Sequence, residues 1–420
     1  MKILQIVEES PSLDFTLPVF NELDNDTKVI ILCSRPSYSY WFDHDPSKLL
    51  PKEKPNILFL DLISISQFRG LLKKLILKFT KNNRNNTNNF FTKSLRIILT
   101  NILEKNFDFS LVLNSFDDEP IDLVLIDSRD DLRTNKIFKE VFDYIHTNNI
   151  KTIAVPVSTY VREGIEISVK PFNRSKNNTY PFNLLPSNFE FWTTTNQPNY
   201  FQQLRKQEYR MVGYSGLDKI WLDNFTNNKM SVNELNILLN IKHFTKNLKI
   251  QTNPGPYASE EVFKFFLNLK KLELIFPDYK FNFVLKPHYY MNFKDLTELL
   301  VESKINNFKI LRTSIYRAIE NIDLAIGLHT SVNIICSAAS IPTILYPETQ
   351  MGIIGSTDPK TIEMYSSHPG FSDNVDQFYS LFQNCLDSDF RTNLGLKSSK
   401  WCKQYFKTNV LKEITKVLKN

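Results

Sequence analysis

Glycine is scarce in this chain: 420 residues contain only 10. Phosphate loops of the G-x-G-x-x-G and G-x-x-x-x-G-K types need clustered glycines so that the backbone can close on the anion, and neither pattern occurs. Any nucleotide must be held differently. Long apolar runs are missing as well, and without a stretch of about 18 apolar residues a membrane-spanning helix is excluded. The opening MKILQIVEES reads as a short strand and lacks the apolar core of a signal peptide. Cys33, Cys336, Cys385 and Cys402 are too scattered for a metal knuckle or a redox pair, so buried thiols in a reducing cytoplasm are expected. No metal or organic cofactor is expected. Strong charge of one sign is also absent: 51 Lys plus Arg against 45 Asp plus Glu leave +6. So mild an excess argues against nucleic-acid binding but is compatible with an anionic ligand or membrane surface.

What is present is ample apolar content, 42% of residues, in a chain long enough for two domains of about 200 residues each. The runs at 2–7 (KILQIV), 28–33 (KVIILC) and 56–61 (NILFLD) read as buried strands, with a helix around Phe15–Leu23. Another strand, 121–127 (IDLVLID), is followed by a helix from about Asn135 to Asn148 and a strand at Lys151–Val155. Arg129, just beyond the carboxyl end of IDLVLID, suits an anionic ligand or acceptor, or a local ion pair with its acidic neighbours. Residues 162–187 read as a long surface loop, and 188–214 hold two short strands that close the first domain.

From Leu62 to Leu103 no acidic residue occurs, while Arg69, Lys73, Lys74, Lys78, Lys81, Arg84, Lys93 and Arg96 accumulate among Leu, Ile and Phe. Two readings stand for this insertion. It is a solvated helix pair with a polar loop between, or 69–96 meets anionic lipid headgroups, each basic residue contributing about 1 kcal/mol. In the second case the protein is cytoplasmic and peripheral at the inner face of the membrane.

The second domain begins near Val212–Asn228, with a helical segment expected around Ser231–Thr245 and a strand at Leu248–Thr252. The strand end carries Asn253 and Gly255 in a turn ahead of a helix from Glu260 to Leu274, whose Val262, Phe265, Phe266 and Leu269 face inward. Apolar runs at 281–285, 308–311 and 323–327 then alternate with helical patterns, the mark of a parallel sheet with its chemistry at the strand ends. Residues 370–416 finish as helices. His288 follows the first run beside Lys286, and His329 follows the third ahead of Thr330 and Ser331. Neutral imidazole accepts a proton from an attacking hydroxyl, and imidazolium stabilises phosphate charge on a leaving group. Thr330 and Ser331 lie where a helix begins, either as an N-cap or as a phosphate site.

Four segments in order, Val212–Asp218 (VGYSGLD), Leu285–His288 (LKPH), Ala325–Val332 (AIGLHTSV) and Ile341–Tyr346 (IPTILY), resemble the CDP-glycerol glycerophosphotransferase-like group of GT-B enzymes, which act in cell-surface polymer synthesis. The likeness spans about 212–350. It implies a fold class of α/β, GT-B, with two Rossmann-like domains whose parallel sheets face across a cleft. Residues 1–215 would be the acceptor side and 216–420 the nucleotide-donor side. It also implies a metal-independent transferase with a CMP-, CDP- or UDP-linked donor and a glycan or lipid-linked acceptor. His288 falls in the family's histidine motif, and Thr330 and Ser331 fall on paired serines that meet donor phosphates, with Lys286 as a nearby positive charge. The chain departs from the pattern at Tyr289, at His329, at Ser215-Gly216 and where Ile334, Ile335 and Cys336 stand, so the donor is not implied to be CDP-glycerol. A 2-epimerase acting on UDP-N-acetylglucosamine shares the architecture, as does an inactive GT-B scaffold that binds glycan or nucleotide.

Overall fold

The computed structural model describes residues 1–7, 11–33, 50–51, 54–61, 98, 102, 106–117, 119–127, 136–156, 189–194, 209–226, 233–241, 244–245, 257–287, 291, 293–311, 313–327, 330–347 and 359–419. These fall into two compact units. One is built from the described residues up to Gly216 together with those from Val410 onward, and the other from those between Leu217 and Asn409.

The first unit runs β1 (Lys2–Val7), α1 (Pro11–Asn21), β2 (Lys28–Cys33), β3 (Ile57–Asp61), α2 (Phe109–Asn114), β4 (Leu123–Asp127), α3 (Lys136–Asn148), β5 (Lys151–Val155), β6 (Phe189–Thr193) and β7 (Tyr209–Met211). All seven strands are parallel, in the order β3-β2-β1-β4-β5-β6-β7. Strands covered on both faces must be apolar throughout, which is why KILQIV and KVIILC each bury five consecutive residues. Gln5 of β1 is fully buried and accepts a hydrogen bond from Thr16 of α1 at 2.9 Å. Burial without that partner would be costly, so the pair ties helix to sheet. Phe15 of α1 packs on Trp192 and Tyr214, with centroids 6.2 and 5.8 Å away.

The second unit runs α4 (Lys219–Leu222), β8 (Glu234–Ile241), β9 (Phe244–Thr245), β10 (Tyr257–Ala258), α5 (Ser259–Ile275), β11 (Lys280–Pro287), α6 (Phe293–Glu302), β12 (Phe308–Ile310), α7 (Ile315–Ala318), β13 (Leu324–Gly327), α8 (Ser331–Ala338), β14 (Thr343–Leu345), α9 (Pro359–Ser366), α10 (Val375–Asn384) and α11 (Ser388–Tyr405). Its main sheet is parallel with five strands in the order β12-β11-β8-β13-β14. Helix α5 presents Val262, Phe265, Phe266 and Leu269 to this core, all fully buried, as their spacing predicts. Each such side chain contributes roughly 1.5–3 kcal/mol. A last helix, α12 (Leu411–Lys419), packs on α1 of the first unit, where Lys419 reaches Asp24 at 2.6 Å.

One expectation is corrected. The helix foreseen around Ser231–Thr245 is strand, Glu234–Ile241, and it is the central strand of its sheet. Leu235, Leu238 and Leu239 fit a helical face, but the segment pairs with β11 on one side and β13 on the other, and it is buried at 235 and 237–241 as a strand covered on both faces is. The strand foreseen at Leu248–Thr252 and the loop 162–187 lie outside the described residues, as does nearly all of the basic insertion 62–103. Among the described residues no helix is long and apolar enough to cross a membrane.

Candidate functional site

In an open parallel sheet, ligands settle beyond the carboxyl ends of the strands where the strand order reverses direction. In the second unit that reversal falls between β8 and β13. The chain leaves β8 toward β11 and β12 on one side, then returns to β13 on the other. Register places Lys286, Asn240, Gly327 and Leu345 side by side across the carboxyl edge.

Helix α8 starts immediately beyond Gly327, with Thr330 at the N-cap position and Ser331 as the first helical residue. Thr330 has the extended backbone of a cap, φ −141° and ψ 159°, yet its side chain makes no cap hydrogen bond. Its Oγ1 is shielded from water and has no hydrogen-bond partner. The first N–H groups of a helix carry partial positive charge and point outward, so an uncapped start with an unused hydroxyl suits a phosphate oxygen.

Two asparagines build the floor below this helix start. Asn240 Nδ2 donates to Asn333 Oδ1 at 2.7 Å, and both residues are almost fully buried. Gly327 lies against the pair: a Cβ there would sit 2.6 Å from Asn240 Cβ and 2.9 Å from Asn333 Oδ1. The glycine is needed for close approach. Further along α8, Ser337 donates to the Asn333 carbonyl at 2.7 Å and lies 3.0 Å from His368 Nε2. The Gly370 N–H donates to Nδ1 of the same ring at 3.0 Å. Since the Ser337 proton is spent on Asn333, His368 must carry its own on Nε2. This buried histidine is a structural strut packed edge-on against Trp401 at 4.7 Å.

Of the residues singled out from the sequence, Thr330 and Ser331 begin α8, and Lys286 is half-buried on β11, next in register to Asn240. His288, His329, Asn253, Gly255 and Arg129 lie outside the described residues. Asn240, Asn333 and His368 escaped the sequence reading. An asparagine inside the apolar run ELNILLNI was the available signal for Asn240, hidden once that run was read as helix. In the first unit the reversal lies between β1 and β4, which end in Val7 and the buried Asp127.

The four cysteines are buried, and none is in a disulfide. Burial pushes the thiols of Cys336, Cys385 and Cys402 up to about 12, so none is a nucleophile at neutral pH. Thiol reagents at pH 8 are expected to leave these three unmodified in the native protein and to label them after denaturation, read by intact mass. Native labelling of any of them would contradict this burial. Unfolded thiols titrate near about 8.5, so the unfolded chain loses protons that the folded chain keeps. Stability is thus full below about pH 8.5 and declines toward pH 12. Tyr379, also raised to about 12 chiefly by burial, acts in the same direction. Among the described residues no group of His, Cys, Asp and Glu is arranged to hold a metal ion.

No family model matches the sequence, and no curated protein is similar to it in sequence. Solved structures are similar in fold. A UDP-N-acetylglucosamine 2-epimerase superposes with a TM-score of 0.52 at 13% identity, covering 99% of this chain and 95% of the epimerase. The wall teichoic acid polymerase TagF superposes with a TM-score of 0.52 at 10% identity, covering 99% of this chain and 87% of the polymerase. The fold is GT-B. Its two parallel α/β sheets are the Rossmann-like halves that the sequence reading expected.

Proposed function

We propose that this protein is a nucleotide-dependent transferase of cell-surface glycan or polymer assembly. It moves a sugar or polyol phosphate from a nucleotide-linked donor to a glycan or lipid-linked acceptor. The observation that carries this reading is the uncapped start of α8 at the strand-order reversal, where the Thr330 hydroxyl is buried without a partner. Donor phosphates would lie on the Thr330 and Ser331 N–H groups and hydroxyls, with Lys286 adding positive charge from the neighbouring strand. Asn253 and Gly255 would complete the donor side within 216–420, and Arg129 would meet an anionic acceptor on the side of 1–215. The acceptor hydroxyl attacks, the nucleotide leaves with its phosphate, and the hydroxyl proton passes to an imidazole. His288 and His329 are the candidates for that base and for stabilising the departing phosphate. Neither a metal nor an organic cofactor takes part in this scheme. The basic segment 69–96 would hold the enzyme at an anionic inner membrane surface beside a lipid-linked acceptor.

A second reading, a 2-epimerase acting on UDP-N-acetylglucosamine, is favoured by the epimerase likeness, which is as high as that to the polymerase. Incubating the purified protein with UDP-N-acetylglucosamine alone separates the two, because only the epimerase alters it without an acceptor. An inactive scaffold would change neither.

Thermal denaturation with CMP, CDP, UDP and GDP is expected to show stabilisation by one pyrimidine nucleotide, about 2.7 kcal/mol at a hundred times its dissociation constant. Folded His288→Ala and His329→Ala variants should lose about 10²-fold or more in transfer rate. Full activity in both variants would remove the histidines from the mechanism. No response to any nucleotide would remove the transferase reading.

A further inference from the structure

The phosphate site proposed above depends on where the first turn of α8 sits, and the second unit contains a specific device that sets this. Asn333 is the third residue of α8, counted from Ser331. Its side chain turns down into the sheet instead of out to solvent, and its Oδ1 accepts the Asn240 amide at 2.7 Å. Its backbone N–H reaches the Thr330 carbonyl at 3.1 Å, and its own carbonyl takes the Ser337 hydroxyl at 2.7 Å. One residue thus joins the cap, the body of the helix and the end of the central strand. Gly327 on the adjacent strand leaves the space that the pair occupies.

Simple stability does not account for this arrangement. Position 333 faces a core, and a well-packed apolar pair there would be about as stable as two buried amides. The asparagine pair supplies direction, since a hydrogen bond holds one geometry where apolar contact tolerates several. A helix start that recognises a diphosphate must be placed to within about 0.5 Å of its ligand.

We infer that Asn240 and Asn333 are positioning residues for the anion site: they hold the first turn of α8 so that its free N–H groups and the Thr330 hydroxyl converge on the diphosphate of a nucleotide donor. This rests on the donor-site reading above. The pair does not touch the nucleoside, so its removal weakens diphosphate binding and leaves nucleoside binding alone.

The test is calorimetric titration of the full chain with CDP and UDP, and with cytidine and uridine, in the wild type and in Asn333→Ala and Asn240→Ala variants. Diphosphate affinity is expected to fall about tenfold, equivalent to about 1.4 kcal/mol, with nucleoside affinity unchanged. Should a single variant not fold because its partner amide is left unpaired, the double variant Asn240→Leu/Asn333→Leu removes both amides and fills their volume. The same loss of diphosphate preference is expected from it. Equal loss for diphosphate and nucleoside, or unchanged diphosphate affinity in a folded variant, would overturn the positioning role while leaving the donor site standing. A wild type that binds none of the four compounds would overturn both.

Discussion

Replacing Gly370 by alanine is expected to destabilise the second unit by more than about 3 kcal/mol, the upper end of what overpacking does. A Cβ at this position would lie 1.9 Å from the backbone oxygen of Thr343. No rotamer relieves that overlap, because a Cβ has none and the atom it meets is main chain. The segment must move off β14, and it carries two hydrogen bonds with it. The Gly370 carbonyl accepts the Leu345 N–H at 2.9 Å, and the Gly370 N–H donates to His368 Nδ1 at 3.0 Å. Strand β14 is the edge of its sheet, and the Leu345–Phe371 bridge covers that edge. Displacement would bare it and free His368 from Ser337. Urea denaturation should show the midpoint fall, and the variant is expected to aggregate on warming as the uncovered edge pairs with other copies. A wild-type midpoint would mean that the 368–371 turn does not dock as described.

The second large effect is expected at Gly327→Ala, where stability and binding should fall together. The new Cβ would meet Asn240 Cβ at 2.6 Å and Asn333 Oδ1 at 2.9 Å, so the methyl group cannot enter without separating the pair or shifting the end of β13. Overpacking of this kind costs about 1–3 kcal/mol. A displaced α8 start should in addition lower nucleotide diphosphate affinity at least about tenfold, since poor placement of a binding group loses most of its contribution. Denaturation and titration on one preparation measure both. An unchanged stability with unchanged affinity would show that the strand end yields freely, and the close approach would then carry no function.

Much of this fold was legible in the sequence because parallel strands announce themselves. KILQIV, KVIILC and KTIAV are short, apolar and rich in β-branched residues, and each forms the strand foreseen. The helix Ser259–Ile275 was equally readable, since one apolar stripe repeats over its length. ELNILLNI was not readable, because a short apolar run satisfies both the helical and the extended period and only its neighbours decide. Here β11 and β13 pair with it on both sides. The site divides in the same way. Thr330 and Ser331 follow an apolar strand and precede a helix, so their place at a helix start follows from local pattern. That the Thr330 hydroxyl caps nothing depends on the packing of that turn.

By itself, then, the sequence determined the α/β class, most of the strands and the helix start at Thr330, all properties set by residues a few positions apart. Tertiary structure alone decided that β8 is the central strand of its sheet and that α12 returns to α1. It also decided that Asn240 meets Asn333 across 93 positions of sequence. The physical reason is common to all three. Each depends on which surfaces are buried against one another, and burial by a distant segment leaves no period, cap or turn in the local sequence from which to read it.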